Sequence, residues 1–325
     1  MTLKVAREEF PQIRDDWDAL LHSSCRATVF QTQLWHHVWW QELGGHAELY
    51  LTSLREDGAL VGLAPLMYRK DVLTFFGDTD LWDYHDILVA RGKEANFYPA
   101  LFDFLLQQPW TKIDLLSLRQ DSSALTYLPD LAKAHGYTVE VSEEDVSPGV
   151  ALPSTWDGYL EGLSRKNRHE LLRKLRRLEK ESQYRYYAVE SVSALEGALQ
   201  DFFLLMRDSR QDKAMFLTHE REQFFRYMAE ELASANLLRL FFLEISGQRV
   251  ASAMCFDYGE TRFLYNSGYN PGYSSLSVGL LLKALCLRHA IEEGKGYFDF
   301  LRGNERYKYD LGAKDVNLYR LVIQR

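Results

Sequence analysis

Cysteine is scarce in this 325-residue chain. Cys25, Cys255 and Cys286 are far apart, odd in number and never in a C-x-x-C spacing. Such a pattern argues against a disulfide framework and against a zinc site built from cysteines. We therefore expect a protein of the reducing cytoplasm.

Long apolar runs are also missing. No stretch of about 18 apolar residues occurs, which is the length a membrane-spanning helix requires. The segment from Met1 to Phe10 carries Arg7, Glu8 and Glu9, where a signal peptide has an apolar core. The sequence thus predicts a soluble protein that is not exported and has no transmembrane segment.

Several catalytic signatures are absent. The chain has no G-x-S-x-G run, no P-loop and no H-E-x-x-H, which removes the motif support for hydrolase and NTPase chemistry. Cys255 and Cys286 lie in apolar segments that favour buried, inert thiols. Any group transfer is therefore expected to proceed without a covalent enzyme intermediate.

Positive charge is in deficit overall but concentrated locally. The 38 Lys and Arg residues against 46 Asp and Glu give a net charge of −8, which argues against a surface built for DNA or an anionic membrane. Residues 164–181 nevertheless predict an amphipathic helix with a cationic outer face. That face is either simply solvated or attracts a polyanion through Arg173, Arg176 and Arg177.

The periodicity of apolar residues predicts the same order of elements twice. Each half reads as a strand, two helices, a three-strand meander, a helix and a strand. We therefore predict two domains, residues 1–150 and 151–325, and assign the closing strand, 316–323, to the second. The fold class is α/β (α+β), with mixed, mostly antiparallel sheets and flanking helices.

Three segments carry a resemblance to a known family: L-S-R-K-N-R-H-E-L-L-R-K-L-R-R-L, the helix after S-S-L-S-V-G, and F-D-F-L-R-G-N-E-R-Y-K-Y-D-L-G-A. With this order of elements, they resemble the GNAT acyltransferases, in particular BioF2-like (CelD/BcsL-type) acetyltransferases and, more distantly, FemABX aminoacyltransferases. The resemblance implies a tandem GNAT fold. It also implies a degenerate N-terminal copy on the acceptor side and a C-terminal copy that binds acetyl-CoA or another acyl-CoA.

The expected donor site lies between two predicted elements of the second half. Small residues at a helix start let the backbone approach a diphosphate, and the helix dipole favours its charge; an ordinary helix start is the alternative. The resemblance further implies that the thioester carbonyl lies against residues 264–268, with side-chain donors from Asn266 and Ser267. The candidate cofactor-binding residues are Leu264, Tyr265, Asn266, Ser267, Ser274, Ser275, Ser277, Val278, Gly279 and Arg302.

Candidate catalytic residues follow the last strand of the second half: Asp299, Glu305, Tyr307 and Lys308. Acyl transfer from a thioester needs a base for the acceptor's proton and a donor to the leaving thiolate. Asp299 or Glu305 is the candidate base and Tyr307 the candidate donor. The alternative is a structural ion pair of Asp299 with Lys308 or Arg302.

An acidic and aromatic loop in the first half is the candidate acceptor site: Trp82, Asp83, Tyr84, His85 and Asp86. Carboxylates beside aromatic rings suit a sugar or an amine. A polar connecting loop is the alternative, and the spacing matches no recognised metal-ligand register.

The sequence therefore predicts direct transfer of an acetyl or other acyl group from acyl-CoA to an amine or hydroxyl. By analogy alone, the acceptor is a small molecule or glycan of polysaccharide or cell-envelope biosynthesis. Two alternatives stay open: a transferase that uses aminoacyl-tRNA, and a duplicated binding module without catalysis. No residue pattern indicates an oligomeric state.

Overall fold

The computed structural model describes residues 3–24 and 27–325, so Cys25 lies outside the described part. The chain forms two compact units. Unit 1 comprises Met1–Val146 together with Val316–Arg325, and unit 2 comprises Ser147–Asp315. We describe each unit by itself.

Unit 1 is an eight-stranded sheet with four described α-helices. The sheet order is β1-β2-β3-β4-β6-β14-β7, with β5 paired to β3, and only the β4–β6 pairing is parallel. The helices are α1 (Phe10–Ser23), α2 (Gln33–Leu43), α3 (Glu94–Leu106) and α4 (Ser123–Ala134). The strands are β1 (Leu3–Arg7), β2 (Glu48–Glu56), β3 (Ala59–Arg69), β4 (Val72–Phe75), β5 (Leu88–Val89), β6 (Lys112–Arg119), β7 (Thr138–Val146) and β14 (Asn317–Gln324).

The last strand lies in a different unit from the one we predicted. Our sequence analysis assigned residues 316–325 to the second domain, whereas β14 pairs antiparallel with both β6 and β7 of unit 1. Its alternating apolar residues bury Leu318, Leu321 and Ile323. Alternation identifies a strand but does not identify its partners, which in this case are more than 170 residues away along the chain.

Unit 2 is a six-stranded sheet with seven α-helices and two 3₁₀ helices, Val192–Ala194 and Pro271–Leu276. The sheet order is β8-β13-β12-β11-β10-β9, and only β12 and β13 are parallel. The strands are β8 (Gly149–Ala151), β9 (Tyr184–Val189), β10 (Leu238–Ile245), β11 (Gln248–Tyr258), β12 (Thr261–Tyr269) and β13 (Tyr297–Asp299). The helices are α5 (Trp156–Gly162), α6 (Arg165–Glu181), α7 (Leu195–Ser209), α8 (Gln211–Phe216), α9 (His219–Ser234), α10 (Val278–Glu292) and α11 (Arg306–Asp310).

The core of unit 2 forms where α10 packs on the sheet. Most residues of this helix are apolar, and it is buried along most of its length, with Arg288 and Glu292 on its exposed side. It contacts β10, β11 and β12 and also α5 and α6. Because α10 starts beside the end of β12, this packing fixes the position of the helix start that our sequence analysis proposed as a donor site. Within residues 3–24 and 27–325, no helix combines the length and the apolar character needed to cross a membrane.

Gly268 sets the distance between β12 and α7. A Cβ at this position would lie 2.3 Å from the backbone nitrogen of Met206 and 2.4 Å from the carbonyl carbon of Leu205. Because these are backbone atoms, the clash cannot be relieved by a rotamer change. We expect Gly268→Ala to lower the free energy of unfolding by about 3 kcal/mol, measured by urea denaturation of the full chain.

Gly197 on α7 provides a matched control, because no heavy atom lies within 4 Å of the Cβ that alanine would add there. Gly197→Ala should raise stability by roughly 0.5–1 kcal/mol, as expected for alanine replacing a helical glycine. Equal stability of the two variants would contradict the close approach at Gly268.

Candidate active site

Two parallel strands of unit 2 separate at the candidate site. β12 and β13 pair through Thr261↔Tyr297, Arg262↔Phe298 and Phe263↔Asp299, after which β13 ends and β12 continues to Tyr269. Beyond Phe263, this edge of β12 has no partner strand among the described residues, so its outward amides lie outside the sheet ladder. A β-bulge at Tyr265 interrupts the pairing with β11 in the same place.

The loop after β13 is held by two residues that we predicted to be catalytic. Asp299 is 2% exposed, and its Oδ1 accepts hydrogen bonds from the Leu301 amide at 2.8 Å and the Ser147 hydroxyl at 3.4 Å. Lys308 is buried, and its Nζ donates to the carbonyls of Leu301 at 2.7 Å, Arg302 at 2.7 Å and Gly303 at 2.8 Å. Both side chains therefore bind the loop backbone, in which Leu301 has a left-handed φ of 61°.

Glu305 and Tyr307 complete the predicted catalytic set. Glu305 is about half exposed and pairs with Lys308 Nζ at 2.9 Å. Burial raises the pKa of Glu305, but the hydrogen bond and charge of Lys308 outweigh burial and lower the pKa overall. Burial raises the pKa of Tyr307 well above its usual value, and its hydroxyl makes no hydrogen bond to a described residue. Glu305 is thus ionised and a weak base, whereas Tyr307 remains a hydrogen-bond donor.

The structure adds two lysines that our sequence analysis did not select. Lys213 on α8 donates through Nζ to Asn266 Oδ1 at 2.9 Å and to the Ser267 carbonyl. Burial lowers the pKa of Lys213 to about 7, and the charges of Lys283 and Arg210 lower it further than Glu305 and Asp212 raise it. Lys283 on α10 donates to the Gly279 carbonyl at 3.1 Å and lies 4.9 Å from the centre of the Tyr307 ring. Burial lowers its pKa to about 8.

The ionisable groups around Lys213 and Lys283 shift one another's pKa values. Glu305 affects the pKa of both Lys213 and Lys283, and Lys308 affects that of Lys283. The result is an amine whose pKa is near neutrality, next to the free edge of β12. A group with that pKa can be neutral at physiological pH and accept a proton. We call Lys213, Lys283, Glu305, Tyr307 and Lys308 the lysine cluster.

In residues 264–268, the segment expected to bind the thioester carbonyl, the Asn266 side chain makes contacts other than the predicted one. Asn266 Oδ1 accepts hydrogen bonds from the Ser267 amide at 2.9 Å and from Lys213, so the Ser267 amide is already occupied. Leu264 is buried, and the Tyr265 ring packs against Phe225 and Phe256. Asn266 therefore positions Lys213, and the unpaired edge of β12 remains the place for a carbonyl oxygen.

The start of α10 has the properties expected of an anion site. Ser274 and Ser275 are exposed in the 3₁₀ helix, and Ser277 caps α10 with a left-handed φ of 56° and no side-chain cap. The amides of Val278, Gly279 and Leu280 donate to no described acceptor. A Cβ on Gly279 would lie 3.0 Å from the Tyr269 ring, so glycine lets the helix start approach β12.

The predicted acceptor loop is mostly core in unit 1. Trp82, Tyr84 and His85 are buried, and the His85 Nε2 lies 2.7 Å from the Phe76 carbonyl oxygen. Their rings fill the interior of unit 1, which gives no support to an aromatic platform at these three residues, and acceptor binding by this loop stays a prediction. Asp83 is partly buried, and Asp86 borders a cavity of the same unit.

The three candidate arginines lie on the exposed face of α6. Arg173 forms a two-bond pair with Glu170 at 2.8 and 2.9 Å, and Arg177 pairs with Glu181 at 3.0 Å. Arg176 donates to the Leu172 carbonyl at 3.2 Å. These contacts within one helix are typical of a solvated face. Arg302 contributes its carbonyl to Lys308 and is partly buried.

The described residues contain no group of three or more His, Cys, Asp or Glu side chains placed to hold a metal ion. The lysine cluster contains two residues, Lys213 and Lys283, that our sequence analysis did not select. Lys283 could have been selected from the sequence, because it is the single charged residue in the apolar run from Val278 to Leu287. No pattern in the sequence around Lys213 points to its role in the site.

Comparison with known proteins finds one family model that matches part of the chain and several structures with a similar fold. Residues 165–309 match the family model for an acetyltransferase (GNAT) domain. The chain is similar in structure to FemX, with 12% identity, 98% of this chain and 96% of that chain covered, and a TM-score of 0.66. It is also similar to L-PGS from Bacillus licheniformis (12% identity, 94% and 90% covered, TM-score 0.57). A third similar structure is a tandem GNAT protein from the clavulanic acid biosynthesis pathway (12% identity, 98% of each chain covered, TM-score 0.51). At such identities, the likeness shows the fold alone. A search of curated proteins found no match.

Proposed function

We propose that unit 2, of which residues 165–309 match the family model for an acetyltransferase (GNAT) domain, transfers an acyl group directly from acyl-CoA to an amine or hydroxyl. The chain has the predicted tandem GNAT fold. The observation that carries the proposal is Lys213. A partly buried amine with a pKa of about 7 lies at the free edge of β12. An acyltransferase needs such a group to remove the acceptor's proton.

The donor is proposed to bind along β12 and the start of α10. The amides of Val278, Gly279 and Leu280 lie at the positive end of the helix dipole and have no acceptor among the described residues, so they are available to the diphosphate of CoA. The thioester carbonyl is proposed to accept a hydrogen bond from the unpaired edge of β12 beyond Phe263. Asp299 and Lys308 hold the adjoining loop and act as positioning residues.

The chemistry requires no enzyme nucleophile. Cys255 and Cys286 are buried, and burial raises the pKa of the Cys255 thiol well above its usual value, so a thiolate is disfavoured. In the proposed step, the acceptor atom attacks the thioester carbon, neutral Lys213 takes the acceptor's proton, and the carbon–sulfur bond breaks. The Tyr307 hydroxyl donates a hydrogen bond to the leaving thiolate.

The acceptor and location follow from the family resemblance and the free thiols. We propose a small-molecule or glycan acceptor used in polysaccharide or cell-envelope biosynthesis, on the resemblance to BioF2-like (CelD/BcsL-type) enzymes. Cys255 and Cys286 are both free, which fits a reducing cytoplasm.

Thermal and chemical denaturation with acetyl-CoA tests donor binding. A ligand at a hundred times its dissociation constant should add about 2.7 kcal/mol to the free energy of unfolding. S-acetylpantetheine, which lacks the diphosphate, serves as the matched control and should stabilise much less. Absence of stabilisation by acetyl-CoA and by longer acyl-CoA molecules would reject this donor.

A second donor, aminoacyl-tRNA, is favoured by one observation, the exposed arginine face of α6. Likeness to FemX in fold makes this donor worth including in the same experiment. Stabilisation by charged tRNA, weakening with salt, together with no effect of acyl-CoA, would favour it. Stabilisation by acetyl-CoA alone would leave the α6 face as a solvated surface.

A further inference from the structure

Unit 1 contains a cavity of about 310 Å³ that includes no residue of the lysine cluster, although Asp86 on its border belongs to the predicted acceptor loop. Its walls come from Ser24 and Gln31, the segment 86–89, the start of α3, and the end of β6 with the start of α4. The volume lies at the low end of the roughly 300–1,000 Å³ of small-molecule sites. It suits a molecule the size of a monosaccharide or an amino acid and excludes one as large as CoA.

Asp86 borders this cavity with one oxygen unoccupied. Its Oδ1 accepts hydrogen bonds from the Ser122 hydroxyl at 2.7 Å and the Ile87 amide at 2.8 Å. Its other oxygen, Oδ2, makes no hydrogen bond to a described residue. The Asp86 side chain is partly buried, so a ligand that bonds to Oδ2 would pair with a carboxylate that is only partly hydrated. Burial accordingly raises the pKa of Asp86 to about 7, against the opposing effect of Ser122.

The charge of Arg119 lowers the pKa of Asp86 but Arg119 makes no hydrogen bond to Oδ2. Arg119 donates from Nε to Asp121 Oδ1 at 3.4 Å, and its guanidinium carbon lies 5.1 Å from the centre of the Tyr84 ring. Glu94 also lines the cavity and makes no ion pair within the described part of the chain. The cavity is therefore bordered by three carboxylates, those of Asp86, Glu94 and Asp121, and by the guanidinium of Arg119. The net negative charge of these groups favours a cation.

The remaining walls limit what kind of cation fits. Ile87, Leu88 and Val89 supply an apolar side, and Ser123 and Tyr127 supply hydroxyl groups. A metal ion would leave most of the volume empty. An organic molecule with a charged end and a short apolar or hydroxylated body would fill it.

We propose that this cavity binds a small molecule with a primary ammonium group, which pairs with Asp86 Oδ2 while Glu94 adds attraction. The inference stands apart from acyl transfer, because every residue it uses lies in unit 1 and none belongs to the lysine cluster. Binding therefore tests it whether or not unit 2 proves to be a transferase.

Amide NMR of the full chain, with matched probes, tests the proposal. The probes are n-butylamine with its neutral counterpart n-butanol, glucosamine with glucose, and butyrate as an anion of similar size. We expect at least one amine to give saturable shifts around residues 86–94, with affinity about tenfold or more above its neutral partner. Butyrate should give none. If no amine shifts these signals, or if n-butanol, glucose or butyrate binds as well, the proposal is overturned.

The effects of substitutions and of pH on amine affinity show which carboxylate the ammonium group contacts. The charged and titratable groups around Asp86 are Arg119, Asp121 and Tyr98. Because Asp86 titrates at about 7, amine affinity should rise from about pH 6 to about pH 8 as the carboxylate ionises.

Asp86→Asn should weaken binding about tenfold or more at the higher pH and remove the pH dependence. Glu94→Gln should weaken it less, and Glu140→Gln, at an exposed carboxylate on β7, should leave it unchanged. Unchanged affinity in folded Asp86→Asn protein would overturn the assignment.

Discussion

Replacing Arg262 with leucine is expected to lower the free energy of unfolding by about 3–5 kcal/mol, the usual cost of breaking a buried ion pair by removing one partner. Arg262 on β12 is 0% exposed, and it forms two hydrogen bonds to the Asp257 carboxylate, both at 2.7 Å. Leucine would leave Asp257, itself buried, without its main counter-charge. Urea denaturation of the full chain measures the change.

The Arg262 guanidinium also connects β12 to α10 through hydrogen bonds. It donates to the Cys286 carbonyl at 3.3 Å, lies 3.1 Å from His289 Nδ1 and pairs with Glu293, all on or just after α10. Loss of Arg262 therefore also loosens α10 from β12, the two elements between which the donor is proposed to bind.

Arg288→Leu is the matched control, because Arg288 pairs with Glu292 one turn away on the exposed side of α10. Surface pairs of this kind are worth about 0–1 kcal/mol. A double variant, Arg262→Leu with Asp257→Asn, should recover part of the loss, since the uncompensated charge is then gone. A loss below about 1 kcal/mol in Arg262→Leu would show that the network contributes no more than a surface pair.

The repeated order of elements was predictable because each long element shows its own period. The spacing of leucines predicts the helix from Ser164, and Tyr184 to Val189 is a strand with the predicted bounds. The Asp-Gly turn at residues 57–58 predicts the hairpin of β2 and β3. Strand β8 and helix α11 have three and five residues, too few to show a period, and the prediction missed them.

The candidate site was predictable where its residues are neighbours in sequence. Asp299, Glu305, Tyr307 and Lys308 stand within ten positions, and the structure brings them to the end of β13. Sequence proximity could not show that Asp299 and Lys308 turn toward loop carbonyls and amides. Lys213 was missed because its partner, Asn266, is 53 residues away and α8 is only six residues long. The sequence could not show that the rings of Trp82 and Tyr84 are buried, because an aromatic loop and an aromatic core have the same composition.

The lysine cluster predicts a specific kinetic result at Lys213. We expect Lys213→Arg to lower kcat/KM for acetyl transfer by about 10²–10⁴, the usual contribution of a general base, because a guanidinium stays protonated and cannot take the acceptor's proton. In the unmodified protein, kcat/KM should rise with pH and level off above about 7, where Lys213 is neutral. Release of CoA with a panel of primary amines as acceptors measures the rate, and side-chain NMR of Lys213 measures its pKa without any acceptor.

A second substitution separates proton transfer from a structural role. The charge of Lys283 lowers the pKa of Lys213, so Lys283→Met should move the pH profile to higher pH while Lys213 remains in place. Lys133→Arg, an exposed lysine of unit 1, should change neither rate nor profile. A Lys213→Arg protein that binds acetyl-CoA normally and keeps the original rate and profile would remove Lys213 as the base. Glu305, whose pKa Lys308 lowers against the effect of burial, would then be the nearest remaining acceptor of the proton.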